Sequence, residues 1–595
     1  MLKISRAALF AATLGLAAPI LPAFAQDTPG QPTEQAPFTF ELKVPSVVAV
    51  DSSMSEDQIK DVFTSNFLTH ADQLAALNAT SITIPELSLT FNVEAPGGGT
   101  STITYRDIVL TNVKDGHADK LSVGSGESIS QGETTTYSAI TADNFDLKRL
   151  LEFTGIVKGD PNAPLKAIYS AGASTGSTQT GALYSCSFGG SNAGALEARP
   201  VKVPFADVIG VIEKFKGASE PPPEALNTII AYGVDLLRAF RGGGGTVGAI
   251  DCTVPADAPV TIKMAGASTG DFEPGIYPHI QVNGIAVDAG PMGSGSLGEF
   301  LFKPLDLNPS LNALEAAAGQ LSEAWFEANW RLLIPSWEGF SFNNFAIDVT
   351  SPEVPADPST GMPARPSERV QAKVANFDLS MAKYLNGIPT DLSLTGSGIE
   401  VPLPQDSTDP QITTLLAAGL TGVNMGVDVV ANWDEAAKQI NVGKVAMSAV
   451  DLGSMAISAT VGNATAELFA IDPNVAMTSA FALTVKDVTI NVTDDGLGKI
   501  VWPLAAAEQG QNDVDAYRKQ MAGFAEGLAI QLIGPTDAAR QLGAALSEFV
   551  TGGKGEITIN IKSKDPAGIP LAMFMAAQND PSILAGQVEV TGMAN

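Results

Sequence analysis

Two identical pentapeptides carry the strongest catalytic signal in this chain. Gly172-Ala173-Ser174-Thr175-Gly176 recurs as Gly266-Ala267-Ser268-Thr269-Gly270. Both match Gly-x-Ser-x-Gly, in which a serine on a sharp strand-to-helix turn exposes its hydroxyl for nucleophilic attack. Such a serine needs a base within hydrogen-bond reach, and the chain offers only His70, His117 and His279. His279 follows the second copy most closely. No two histidines share the i, i+4 spacing of a zinc-binding H-E-x-x-H helix. The flanks argue against an elbow. Ser177 to Ser185 reads as a turn and a returning strand, and Asp271 to Pro278 contains Pro274, Gly275 and Pro278, so neither serine leads into a helix. We therefore expect both copies to connect related strands and assign no catalytic residue; a serine hydrolase using Ser174 or Ser268 is the alternative.

Other constellations are weaker. Gly242 to Gly245 follows Arg241, but no Lys-Ser or Lys-Thr completes a phosphate-binding loop. Asp494-Asp495-Gly496 lacks the alternating oxygen ligands of a calcium loop and reads as a turn. Trp325, Phe326 and Trp330 would line a ligand groove or, on a helix, belong to the core. No cofactor and no metal is expected.

The 595 residues include two cysteines, Cys186 and Cys252, too few and too separated for a zinc site. In an oxidising compartment a disulfide is the economical reading, and closing a loop of that length stabilises by roughly 4 kcal/mol in the chain-entropy model. The start of the chain points to such a compartment. Lys3 and Arg6 precede the apolar segment Ala7 to Ile20, and Ala23-Phe24-Ala25 has the small-x-small form that signal peptidase accepts. We expect a signal peptide over residues 1–25, cut after Ala25, and a periplasmic mature chain without a transmembrane span. The apolar run falls short of the ~20 residues that cross a bilayer. Lys and Arg number 34 against 64 Asp and Glu, a net charge of −30. That field repels nucleic acid and anionic headgroups, so nucleic acid is excluded as a partner.

The elements around these residues are mostly strands. Residues 26–37 read as a flexible leader, rich in Pro, Gln and Thr. A β-meander domain over 38–158 has short helices at Ser55 to Phe63 and Thr69 to Leu77, then strands Ser81 to Val93 and Thr102 to Val113. A mixed region over 159–350 holds both cysteines and helices at Pro204 to Phe215 and Pro223 to Phe240. Apolar residues from Leu311 to Leu332 recur at a helical period, which predicts one amphipathic helix there. Pro352, Pro355, Pro358, Pro363 and Pro366 mark 351–368 as a linker or loop. A C-terminal α+β domain fills 369–595. Its strand parity changes at Lys486-Asp487, which predicts a bulge or a turn, and its helices are Asp513 to Ile530 and Thr536 to Val550.

Asn-Phe-Asp-Leu occurs at Asn144 to Leu147 and at Asn376 to Leu379, with Leu305-Asp306-Leu307 as a looser echo. Each Asp is expected to cap a short helix, and the echoes raise the expectation of degenerate repeats. The export signal, the meander around Ile103 to Val113, these turns and the final strand, helix pair and strand together resemble uncharacterised exported proteins of Gram-negative bacteria. They are distantly similar to the YdgA-like and AsmA-like envelope proteins. That resemblance covers Thr80 to Phe153 and Val370 to Asn595 and implies a periplasmic location and, for the AsmA-like proteins, handling of envelope lipids. The expected fold is α+β, with extended antiparallel β-sheets and helices packed on one side. The expected function is non-enzymatic binding or scaffolding, with an envelope protein or a lipid or other apolar ligand as partner.

Overall fold

Alternating Val, Ile and Thr along most of the chain favour pleated, half-covered strands, and strands dominate the structure. The computed structural model describes residues 38–595 apart from 64–66, 94–98, 131, 215–222, 256–258, 352–366, 406, 408–409, 418, 553–554, 577–580 and 585. The expected signal peptide, the leader and residues 352–366 of the Pro-rich stretch lie outside the described residues. No described helix is long and apolar enough to cross a membrane. The chain divides into one unit running to Ala289 together with Asp306–Ala328, and a second comprising Gly290–Leu305 and Asn329–Asn595.

In the first unit the strands Ala79–Val93, Thr100–Val113 and His117–Ser130 form an antiparallel meander. Both Glu133–Tyr137 and Ile140–Asp146 pair with the third strand, separated by a break at Ser138-Ala139. The same break recurs strand after strand. Thr175-Gly176 parts Ala171–Ser174 from Ser177–Thr180, Gly189-Gly190 parts Ser185–Phe188 from Ser191–Ala193, and Gly248-Ala249 parts Gly245–Val247 from Ile250–Val254. These breaks bond to one another, Ser138 N to Gly176 O at 3.0 Å and Gly248 N to Gly190 O at 2.8 Å, so they run as one crease across the sheet. Gly176 sits at φ +126°, and a Cβ there would meet Phe188 O at 2.6 Å. In the continuous strand Ala79–Val93 the ladder skips Pro85, and Ile82 and Ile84 before it pack in the same cluster as Leu87 after it.

Two buried clusters anchor that unit. Helices Glu56–Val62 and Phe67–Ala75 place Ile59, Ala71 and Leu74 on Ile82 and Ile84. A second cluster joins Phe145, Leu150 and Phe153 to Val208 and Tyr232 of the helices Phe205–Lys214 and Pro223–Arg238. Asp146 caps helix Leu147–Phe153 by accepting from Arg149 N at 2.7 Å, as its position before a helix requires.

The second unit is laid out in chain order. Its long strands are β1 (Gly293–Phe302), β2 (Gly339–Ser351), β3 (Glu368–Leu385), β4 (Ile388–Pro402), β5 (Gly422–Asp434), β6 (Gln439–Ala449), β7 (Gly453–Gly462), β8 (Thr484–Asp494), β9 (Glu556–Ser563) and β10 (Val588–Ala594). Each pairs antiparallel with the next, an uninterrupted meander. At Lys486 the β7–β8 register slips by one residue, so of the bulge or turn expected there the chain adopts the bulge. Helices α1 (Pro473–Phe481), α2 (Val514–Ile533) and α3 (Asp537–Thr551) belong to the last third, with Thr536 capping α3.

Two expectations fail here. The single amphipathic helix over Leu311 to Leu332 is instead Asn308–Ala316 and Glu323–Asn329 followed by a 3₁₀ turn at Trp330–Leu333. The first helix closes at Ala316, Gly319 at φ +80° turns the chain away just beyond it, and Ser322 Oγ accepts from Trp325 N at the start of the second. The second Asn-Phe-Asp-Leu lies inside β3 and precedes no helix. Phe377, Leu379 and Met381 continue a two-residue alternation that both neighbouring strands satisfy, which overrides the capping tendency of Asp378.

Candidate functional site

Residues opposite one another in an antiparallel ladder share a face. Followed across the second unit, the register assembles one apolar side. Phe300 faces Phe342, which faces Phe377; Leu379 faces Leu394, which faces Val429. Val429 faces Val445, then come Ile457, Ile490, Ile559 and Gly592. The neighbouring row runs Val427, Met447, Met455, Val492 and Ile557. The reverse side carries Asp378, Thr395, Asp428, Ala446, Ala456, Asn491 and Thr558 at the intervening positions. Ten strands spaced about 4.8 Å apart make a face roughly 43 Å across.

Its parts differ in cover. At the β1–β3 end, Phe342 stacks on Phe377 at 5.1 Å, Phe340 on Phe377 at 5.5 Å and Trp337 on Phe302 at 5.3 Å. At the β9–β10 end, Ala539 and Leu542 of α3 pack with Ile559, Ile561, Val588 and Val590, and Ile557 is only 3 % exposed. The middle is open. Met447 is 60 % exposed and Met455 49 %, with Val445 exposed beside them. A contiguous exposed apolar patch of this kind marks an interaction surface more often than an isolated exposed Leu does.

The serines singled out from the sequence lie elsewhere. Ser174 ends a strand opposite Ile140 and Ser191, and its Oγ accepts from Gly176 N at 3.2 Å. Ser268 lies mid-strand opposite Thr246 and Gln281. Neither precedes a helix, and among the described residues neither hydroxyl bonds a histidine. His70 pairs with Gln73 Oε1 at 2.9 Å, while the imidazole of His279 lies over Gly270. Among the described residues no three His, Cys, Asp or Glu side chains gather to hold a metal ion. Gly242 and Gly245 belong to short strands, and Asp494 Oδ1 accepts from Gly496 N and Gly498 N, a turn. Trp325 and Phe326 meet edge to face at 5.2 Å.

Cys186 and Cys252 occupy directly opposed positions on adjacent strands, Cα atoms 4.0 Å apart and sulfurs 2.14 Å apart, at disulfide distance. In the same unit Tyr105 and Tyr137 both oppose Gly126. Burial, with a smaller push from the neighbouring Tyr137, raises the Tyr105 phenol to about 12, and burial raises Tyr137 as well.

One cluster carries no sequence signal. Lys303 Nζ stands 2.6 Å from Ser380 Oγ and 2.6 Å from Asp378 Oδ2. A serine–lysine pair does nucleophilic chemistry when the amine accepts a proton. Here the ion pair with Asp378 makes Lys303 a donor, so the arrangement staples β1 to β3. Only the register across three strands brings these residues together.

A family model described as "Uncharacterized protein" matches residues 446–595, the stretch from the end of β6 to the end of the chain. No curated protein and no solved structure matches the chain.

Proposed function

We propose that this chain is a periplasmic envelope protein that holds the acyl chains of a lipid along the apolar side of its β1–β10 sheet and makes or breaks no bond. The observation that carries the reading is the open middle of that side, where Val445, Met447 and Met455 are exposed between two covered ends. An acyl chain brings no polar group to a strip lined by Leu, Val, Ile, Met and Phe. A peptide would bring backbone N–H and C=O groups with nothing opposite to satisfy them. The net charge of −30 disfavours flat adsorption on an anionic bilayer and favours uptake of single lipids. The signal peptide expected over residues 1–25 and the resemblance to AsmA-like envelope proteins imply the same compartment and, for the latter, the same ligand class.

The reading also takes the helices to cover only the apolar side. In support, Ile82 and Ile84 in one unit and Ile559 and Ile561 in the other are among the sheet residues that pack with helices. Strand irregularities recur in each unit, which favours degenerate repeats over two unrelated sheets.

The test is to purify the full chain from periplasm, identify bound lipids by mass spectrometry, and titrate lipid-free protein with a fluorescent fatty acid. Saturable binding that Met447→Asp and Met455→Asp abolish is expected. Absence of both bound lipid and saturable binding would refute the reading.

A further inference from the structure

The connection from β7 to β8 is more than a turn. It holds a 3₁₀ turn, Ala466–Phe469, followed by α1, and between them lies a pocket of about 480 Å³. That volume falls within the range of small-molecule sites. Its lining is unlike the apolar side of the sheet, with Asn463, Thr465, Glu467, Asn474, Thr478 and Ser479 supplying amides, hydroxyls and one carboxylate.

The bonds these groups already make leave a defined remainder. Asn463 Nδ2 donates to Ala482 O at 2.8 Å, which fixes the amide and leaves Oδ1 to accept. Thr465 Oγ1 donates to Glu467 Oε2 at 3.3 Å and lies 3.3 Å from the buried Ser479 hydroxyl. Thr478 Oγ1 donates to Asn474 O at 2.8 Å and keeps its lone pairs. Among the described residues the Asn474 carboxamide has no partner.

Ligand classes fall away in turn. The lining contains no Lys, Arg or His, so Glu467 meets an anion with repulsion. A hard cation takes 6–8 oxygens with several charged, and one carboxylate does not supply that. An apolar ligand would leave Asn463 Oδ1, the Glu467 carboxylate and the Asn474 carboxamide cut off from water with nothing in return. What remains is a neutral molecule dense in groups that both donate and accept, with a small hydrocarbon face. A saccharide is that molecule. Val475 and Ala482 line the pocket and offer a small apolar surface for the C–H face of a sugar.

We propose that this pocket is a binding site for a neutral saccharide, with Glu467 and Asn474 as its principal hydrogen-bonding residues. The site stands independently of lipid binding on the sheet. The saccharide comes either free or as the glycan of a lipid, and the test separates these sources. Full-length protein is titrated calorimetrically with maltose, cellobiose, lactose and N,N′-diacetylchitobiose, each free and as its dodecyl glycoside below micelle formation. Glu467→Gln and Asn474→Ala are run alongside, since both side chains are exposed and their loss leaves the fold intact. Saturable binding of at least one sugar, weakened about tenfold or more by each substitution, supports the site. Equal affinity for the free and dodecyl forms assigns a free glycan; binding of the dodecyl form alone, still weakened by both substitutions, assigns a glycolipid. No binding across the panel, or binding that neither substitution alters, overturns the proposal.

Discussion

Met447 on β6 and Met455 on β7 stand directly opposite each other on the apolar side of the sheet, and neither is covered by a helix. Ile557, two strands beyond Met455 in the same row, is buried. The same face is thus packed at one end and exposed in its middle. Truncation separates the two roles. Ile557→Ala removes buried methylenes and leaves a cavity, costing about 2–5 kcal/mol, whereas Met447→Ala gives up atoms still largely in water and costs under about 1 kcal/mol. Urea unfolding of both variants measures the difference; equal costs would mean that something covers Met447.

Cys186 and Cys252 set a second expectation. Their bridge closes a loop that contains two helices, so reduction enlarges the unfolded ensemble more than it alters the folded sheet. Unfolding in the presence of a phosphine reductant should lose up to about 4 kcal/mol. The double variant Cys186→Ala, Cys252→Ala should match the reduced protein and be insensitive to reductant. Identical unfolding curves with and without reductant would show that the two sulfurs are not linked.

Local pattern made much of this architecture legible. The helices before Ala79, the strands to either side of residues 94–98, the capped helix after Asp146 and the bulge at Lys486 each follow from periodicity, a capping side chain or a parity change within a dozen residues. What stayed hidden depends on register. Leu392 and Leu394 alternate with polar neighbours like any strand, and nothing local says that Val429 and Val445 continue their row. The second Asn-Phe-Asp-Leu misled for the same reason, because its Asp answers to Lys303 seventy-five positions away and not to the backbone just ahead. The β7–β8 connection carries no local signal of a pocket, since its polar residues come together through the packing of a 3₁₀ turn on a helix.

Tyr105 gives a pH signature. Its folded value is raised from 10.0 to about 12, mainly by burial, so the folded state holds the phenolic proton more tightly than the unfolded chain does. The stabilisation this represents is complete below pH 10 and is lost as pH rises from 10 towards 12. Absorbance at 295 nm should show Tyr105 among the last tyrosines to ionise. Tyr105→Phe should flatten the fall in melting temperature across that window, while Tyr137→Phe should leave most of the shift in place because burial outweighs the tyrosine pair. Ionisation of Tyr105 near pH 10 in the folded protein would contradict its enclosure.

Gly592 on β10 lies directly under Leu542 and Ala545 of α3, with no room for a side chain. A Cβ at this position would lie 2.7 Å from Leu542 Cδ1 and 3.1 Å from Leu542 Cα. The first contact is relieved by rotating a side chain; the second involves the helix backbone and is not. Gly592→Val should therefore force α3 outward and destabilise by about 1–3 kcal/mol, and Leu542→Ala alone should cost about 2–5 kcal/mol through the cavity it leaves. Combined, the two changes relieve each other, because the added methyls enter the space the leucine vacates. The double variant should be more stable than the sum of the single losses by at least about 1 kcal/mol. Strict additivity in a double-mutant cycle followed by urea unfolding would mean that Leu542 does not rest on β10.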